Sequence, residues 1–402
     1  MFVLLDLALT RIGARKRSFV ADGFGPVLAG VMFLLCALVL QGPSPAAVLT
    51  ALSFALPTLA GWVAGRRWSA VWWEKSWIDV GLLAFTGVTC FSLIVIAITA
   101  GSVSEFHRAS VLPWGASNYV AGVLVVCAFL LWARRPAMRV AGSLGVFAAA
   151  ISILTLSRGA FLALGAGLLV LFWNSGRTPL SRLSLRALSA AVLVVGAVGM
   201  EGITAQRSVG GYDPSSNITA RFDLYDLAWH EFLSSPVIGT GWLGLREPAL
   251  EMMGDPLSFA HNVILSFLQI GGVLGLIWLV IMGKSVILCW TAAPVLRPAL
   301  AATLAISMTD PFFESAVAAF VSWLLIGAGC AMSTGAHEQL SIKQSHAGHS
   351  EEDGALKGAK AIRPRREGQR HSRQPSHASL SVRGRRRSAA PRGSRAVKRS
   401  AL

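Results

Sequence analysis

The stretch His261-Asn262-Val263-Ile264-Leu265-Ser266-Phe267-Leu268-Gln269-Ile270-Gly271-Gly272-Val273-Leu274-Gly275-Leu276 decides the class of this chain. Two polar residues lead straight into an apolar run, the pattern of a helix that starts at a water boundary and enters a bilayer. At about 100° per residue, Gly272 falls about 20° from His261 around the helix and Gly275 about 40° the other way. One face therefore carries His261 at its top, with Gly272 about 16 Å below it. Two readings compete. Small residues on one stripe admit a neighbouring helix or a lipid chain; alternatively the stripe is a plain packing face beneath a helix-capping polar pair.

Composition extends that reading to the whole chain. Apolar residues make up 54% and charged residues 14%, and the mean hydropathy is +0.59; a soluble domain is nearer about 25% charged. The net charge of +16 would suggest nucleic acid if it were spread evenly. It is not: residues 334–402 hold 16 Lys/Arg against 5 Asp/Glu, leaving 20 against 15 for the rest. Cys36, Cys90, Cys127, Cys289 and Cys330 all sit in apolar stretches without disulfide or metal-ligand spacing, and are expected as buried thiols.

A spanning helix needs about 20 apolar residues. Ten stretches qualify: 24–40, 46–65, 78–100, 117–133, 138–156, 159–175, 185–202, 261–283, which can run on to Trp290, 293–310 and 315–332. The predicted fold is an all-α, polytopic membrane helix bundle of about ten transmembrane helices, with one larger external loop between spans seven and eight. Arg66, Arg67 and Lys75 follow span two, Arg134, Arg135 and Arg139 span four, Arg177, Arg182 and Arg186 span six, and Lys284 and Arg297 span eight. These even-numbered exits share a side with both termini, so the positive-inside rule puts that side in the cytoplasm.

Residues 1–23 then lie at the cytoplasmic interface, an uncleaved lead-in with Arg11, Arg15, Lys16 and Arg17. Spans one to seven occupy 24–202, the external loop 203–258, and spans eight to ten 259–332. The loop opens on the turn cluster Gly210-Gly211-Tyr212-Asp213-Pro214. A helix is predicted over 219–234, with Phe222, Tyr225, Trp229 and Phe232 as one aromatic stripe. That stripe suits an amphipathic helix lying on the membrane. Residues 333–402 read as a disordered basic cytoplasmic tail whose arginines suit anionic headgroups rather than nucleic acid.

Three groups bear on chemistry. Arg158, in Ser157-Arg158-Gly159-Ala160, cannot sit at a helix centre cheaply and so belongs at the outer boundary or in a wet cavity. Arg158 and His261 each open a helix whose N-terminus faces outward, and such termini favour anions. With Arg221 they form a candidate anion site, since guanidinium forks match phosphate oxygens. A diphosphate-linked lipid meets those demands, chains in the bilayer and head outside. His261 can then take a proton from an attacking hydroxyl. The competing readings are a snorkelling arginine and a capping histidine.

These motifs resemble those of the O-antigen ligase and polymerase superfamily. The resemblance rests on His261-Asn262 through Gly272 and Gly275, on Ser157-Arg158-Gly159, on Arg221 in Ala220-Arg221-Phe222, on Pro236-Val237-Ile238-Gly239-Thr240-Gly241, and on Gly115-Ala116-Ser117-Asn118, over about 100–332. It implies a membrane glycosyltransferase active on the periplasmic side of the bacterial inner membrane. The implied donor is an undecaprenyl-diphosphate-linked glycan; the acceptor is a glycan, lipid A-core or another hydroxyl. Arg158 and Arg221 would hold the diphosphate and His261 would be the catalytic base, with Asn262, Gly239, Gly241 and Gly272 in support. No metal, no cofactor and no nucleic acid are expected. The modest external loop favours an exopolysaccharide or O-antigen polymerase; a ligase to lipid A-core and a protein O-oligosaccharyltransferase remain alternatives. A lipid-linked glycan transporter, the reading from a different class, predicts an inverted repeat and charges within spans, and neither pattern is present.

Overall fold

Each of the ten predicted apolar stretches overlaps a helix in the computed structural model, which describes residues 24–70, 76–102, 105–106, 110–113, 115, 117–173, 179–194, 214–254 and 256–332, so the end of the seventh stretch, 195–202, lies outside the described residues. Segment 1–23, turn residues 210–213, the tail from 333, and Lys75 and Arg177 lie outside the described residues. Those described form α1 (Phe24–Leu40), α2 (Pro45–Ala70), α3 (Trp77–Thr99), α4 (Ser117–Arg134), α5 (Arg139–Leu154), α6 (Arg158–Phe172) and α7 (Pro179–Val194). After these come α8 (Pro214–Ser234), α9 (Arg246–Met253), α10 (Val263–Ala292), α11 (Arg297–Ser307) and α12 (Ala316–Met332). Among the described residues there is no strand beyond an isolated bridge between Leu112 and Gly115.

Four helices are long and apolar enough to cross a bilayer by themselves: Pro45–Ser69, Trp77–Thr99, Ser117–Arg134 and Val263–Ala292. The other apolar helices are shorter. Boundaries shift in places. α8 begins at Pro214 rather than 219, and α9 interrupts a segment with no predicted helix. α10 runs to Ala292, taking the longer extent of the eighth span, so Lys284 sits within the helix. Cys36 is exposed rather than buried; the other four cysteines are buried as expected.

The core is aromatic. Phe54 of α2 meets Trp242, Phe267 and Trp278 at centroid distances of 5.2, 5.4 and 5.6 Å, and Trp278 continues to Trp323 at 5.2 Å. Such rings add roughly 0.5–1.5 kcal/mol per pair beyond their burial. α2 and α12 cross almost backbone to backbone, because Gly61 faces Phe320, Gly65 faces Leu324 and Gly327 faces Trp62. The close-packing role of small residues in membrane helices is realised here.

Arg134 is not a loop cation. Its guanidinium is buried at the end of α4 and forks onto Asp79 of α3, Nε to Oδ1 and Nη2 to Oδ2, each at 2.7 Å. The Trp68 indole donates to the same carboxylate at 2.9 Å. Asp79 also closes a capping box with Ser76, so one side chain starts α3 and ties it to α2 and α4.

Candidate functional site

The predicted straight face beneath His261 is broken. Gly272 has φ 55° and ψ −129°, splitting α10 into two helical pieces. The residues that fill the break are 236–241. Val273 N donates to Pro236 O at 2.9 Å; Thr240 N and Gly241 N donate to Gln269 O and Ile270 O at 2.8 and 3.2 Å. The Gln269 side chain returns a bond to Gly241 O at 2.9 Å. Backbone groups freed by the break are thus paired inside the protein, the condition for irregular backbone in a membrane helix. Gly239 and Gly272 are needed for contact as well as for their positive φ. A Cβ on Gly239 would lie 2.5 Å from Ile270 O, and one on Gly272 2.5 Å from Pro236 O. Gly241, at φ 96°, would press a Cβ onto Gln41 at 2.6 Å. The glycine pattern that reads as a lipid or helix contact is therefore a loop-into-helix joint within α10.

At that start, Asn262 is the N-cap, its Oδ1 accepting from Ile264 N and Leu265 N at 3.0 and 3.2 Å. His261, just before it, holds φ 53°. Leu156 holds the same φ just before Ser157, the N-cap of α6. A non-glycine residue in the left-handed region costs about 1–3 kcal/mol and persists only where its surroundings over-determine it. Both helix starts carry such a residue, and both flank the same carboxylate.

That carboxylate is Asp310, 1% exposed in the turn after α11. Arg221 of α8 donates from Nη2 to Asp310 Oδ1 at 3.2 Å and from Nη1 to Thr309 O at 2.6 Å. His261 Nδ1 lies 3.7 Å from the same Oδ1, an ion-pair distance when the ring is protonated and too long for a hydrogen bond, so Nδ1 has no hydrogen-bond partner. Thr309 Oγ1 donates to Oδ2 at 3.2 Å. Gly159, next to Arg158 at the start of α6, faces Oδ2 so closely that a Cβ would lie 2.5 Å from it. Arg158 is half-buried, at the same end of the bundle as His261. Arg221 and His261 are each 21% exposed, so both retain access from outside.

Tyr225 completes the frame. Its hydroxyl donates to His261 O at 3.4 Å and Met308 O at 3.3 Å, linking α8 to the start of α10 and the end of α11. Burial pushes this phenol up, opposed by the Arg221 charge, so it acts as a neutral donor. The aromatic stripe is consequently split. Tyr225 turns inward while Phe222 and Trp229 stay exposed, and the buried face of α8 is Leu224 and Ala228 against Leu245, Ala249 and Ala260.

Below Asp310, Glu314 is 3% exposed and neither carboxylate oxygen has a hydrogen-bond partner. Burial pushes its carboxyl up to about 7; the Ser266 hydroxyl nearby offsets part of that without reaching hydrogen-bond geometry. Asp310, which meets Arg221 and lies near His261, and the buried Glu314 are residues of this cluster that the sequence reading misses. A signal existed: Asp310-Pro311 ends span nine on the side where Arg158, Arg221 and His261 need a counter-charge. Among the described residues no three His, Cys, Asp or Glu side chains converge on a metal position.

The structure brings together Arg221, His261, Asn262 and the Arg158-Gly159 helix start; Gly239, Gly241 and Gly272 belong instead to the break within α10. No curated protein matches the chain. Residues 143–280, which contain Arg158, Arg221, residues 236–241, His261 and Gly272, match the family model described as O-antigen ligase. The match is narrower than the motif resemblance over 100–332, and it leaves out Asp310. By that match, the 143–280 segment belongs to the O-antigen ligase and polymerase superfamily.

Proposed function

We propose that this protein transfers a glycan from undecaprenyl diphosphate to a sugar hydroxyl during assembly of a bacterial surface polysaccharide, as a polymerase of O-antigen or exopolysaccharide repeats. The observation that carries the reading is the convergence of Arg221 and His261 on one buried carboxylate, Asp310, beside the start of α6. Asp310 orients both groups and uses only part of the Arg221 donor set. The remaining N–H groups of Arg221, together with Arg158, bind the donor diphosphate. His261 Nε2 accepts the proton of the acceptor hydroxyl as its oxygen attacks the anomeric carbon. The bond from that carbon to the diphosphate oxygen breaks, undecaprenyl diphosphate leaves with the electron pair, and the anomeric configuration inverts. Arg158 and Arg221 stabilise the charge that grows on the leaving diphosphate. No metal takes part. The site faces the periplasm, ten spans cross the inner membrane, and both termini are cytoplasmic.

Surface polysaccharide from a deletion strain, resolved on a gel, tests this. A polymerase deletion leaves a single repeat unit on the acceptor. Accumulated lipid-linked polymer with none transferred makes the protein a ligase instead, and an unchanged ladder defeats both.

A further inference from the structure

At the opposite end of the same helices lies a cavity of about 580 Å³ between the ends of α4, α6 and α10 and the start of α11. α4 links the two ends over 18 residues, about 27 Å, close to the roughly 30 Å thickness of a hydrocarbon core. The cavity walls are mostly apolar, with Leu169 and Val170 among them, and three indoles, Trp132, Trp173 and Trp290, stand around it. Each indole carries a guanidinium. Arg135 lies 4.0 Å from the Trp132 centroid, Arg186 4.4 Å from Trp173 and Arg297 5.7 Å from Trp290. Arg186 and Arg297 are further held by bonds to the carbonyls of Trp173 and Trp290. Among the described residues none of the three arginines has a carboxylate partner, whereas the neighbouring Arg134 is neutralised by Asp79. A guanidinium stacked on a ring uses its face and leaves its edge N–H groups for oxygen acceptors. Size, apolar walls and the rim cations Arg135 and Arg297, which have no carboxylate partner among the described residues, together define one kind of occupant.

We infer that this cavity binds an anionic phospholipid, its phosphate held by Arg135 and Arg297 at the rim and an acyl chain laid along Trp132, Leu169 and Val170. Basic pockets between membrane helices hold anionic headgroups in this way. The inference is independent of the glycosyl-transfer reading, because it concerns the far end of the bundle. Arg186 reaches the cavity only through Trp173 and helps to fix that wall.

The test uses the purified full chain in phosphatidylcholine nanodiscs, with thermal stability read as phosphatidylglycerol is titrated in. Stability is expected to rise with phosphatidylglycerol and not with further phosphatidylcholine. At about 1 kcal/mol per cation, the R135Q/R297Q double variant should weaken the apparent affinity roughly 30-fold. Equal effects of the two lipids, or an unchanged response in the double variant, would overturn the inference. A photoactivatable phosphatidylglycerol on the wild-type protein supplies a second measurement should the variant not fold. Labelling is expected on peptides containing residues 132–136 and 294–298, and labelling confined to other segments rejects the site.

Discussion

Gly159 abuts the carboxylate of Asp310 so tightly that a methyl group there would lie 2.5 Å from Oδ2. The glycine that follows Arg158 is thus a contact residue for the acid that binds Arg221 and lies 3.7 Å from His261 Nδ1. Gly159→Ala is expected to insert stably and to lose most polysaccharide synthesis, because Asp310 must move away from both partners. Wild-type ladder length in Gly159→Ala would show that the carboxylate position does not matter.

Arg221→Lys keeps the charge but cannot fork between Thr309 O and Asp310 Oδ1. Losing a charge-assisted hydrogen bond costs about 1.5–3 kcal/mol, which corresponds to activity lower by roughly tenfold to a hundredfold. Glycan transfer in membranes with equal protein levels is the measurement; an unaffected rate removes the fork from the mechanism.

Asp310 and His261 should act as a unit. His261→Asn is the appropriate variant, since asparagine tolerates the positive φ of 53° better than alanine. Asp310→Asn and His261→Asn should each reduce transfer strongly, and the double variant should be little worse than the single ones. Additive losses would show that the two residues act separately.

Glu314→Gln should stabilise the protein most at alkaline pH. The folded carboxyl titrates at about 7 against an ordinary 4.5, so between those values the folded chain holds a proton that the unfolded chain releases. Its contribution is favourable below 4.5 and is lost as pH rises through 7. At about 1.4 kcal/mol per pH unit, this amounts to a few kcal/mol. Thermal melts in detergent at pH 5 and pH 8.5 should show a larger gain for the variant at pH 8.5; equal gains would mean that Glu314 is charged throughout.

Gly272→Ala places a side chain at φ 55°, ψ −129° and onto the backbone of Pro236 and Val237. Strain alone costs about 1–3 kcal/mol. The variant should melt lower and lose activity together, because α10 carries His261 at its start and the joint at Gly272 in one helix. A melt unchanged from wild type would make the break incidental.

The helical class, the positions of ten apolar helices and the polar groups at their ends were legible in the chain itself, because hydrophobic length and charge placement are local properties. Arg158, Arg221 and His261 were legible as cations and an imidazole at comparable boundaries. Other features required folded coordinates. Asp310 looks like one more loop acid, and its role exists only because α6, α8 and α10 deliver three separate groups to it. Gly272 looks like a small residue on a helical face, yet it breaks the helix because residues 236–241, more than thirty positions earlier, cap the opened carbonyls. Arg134 reads as a loop cation and is instead buried against Asp79. Local chemistry specifies what a segment prefers; which distant backbone or charge meets it is a property of packing, and packing determined the counter-charge of this site.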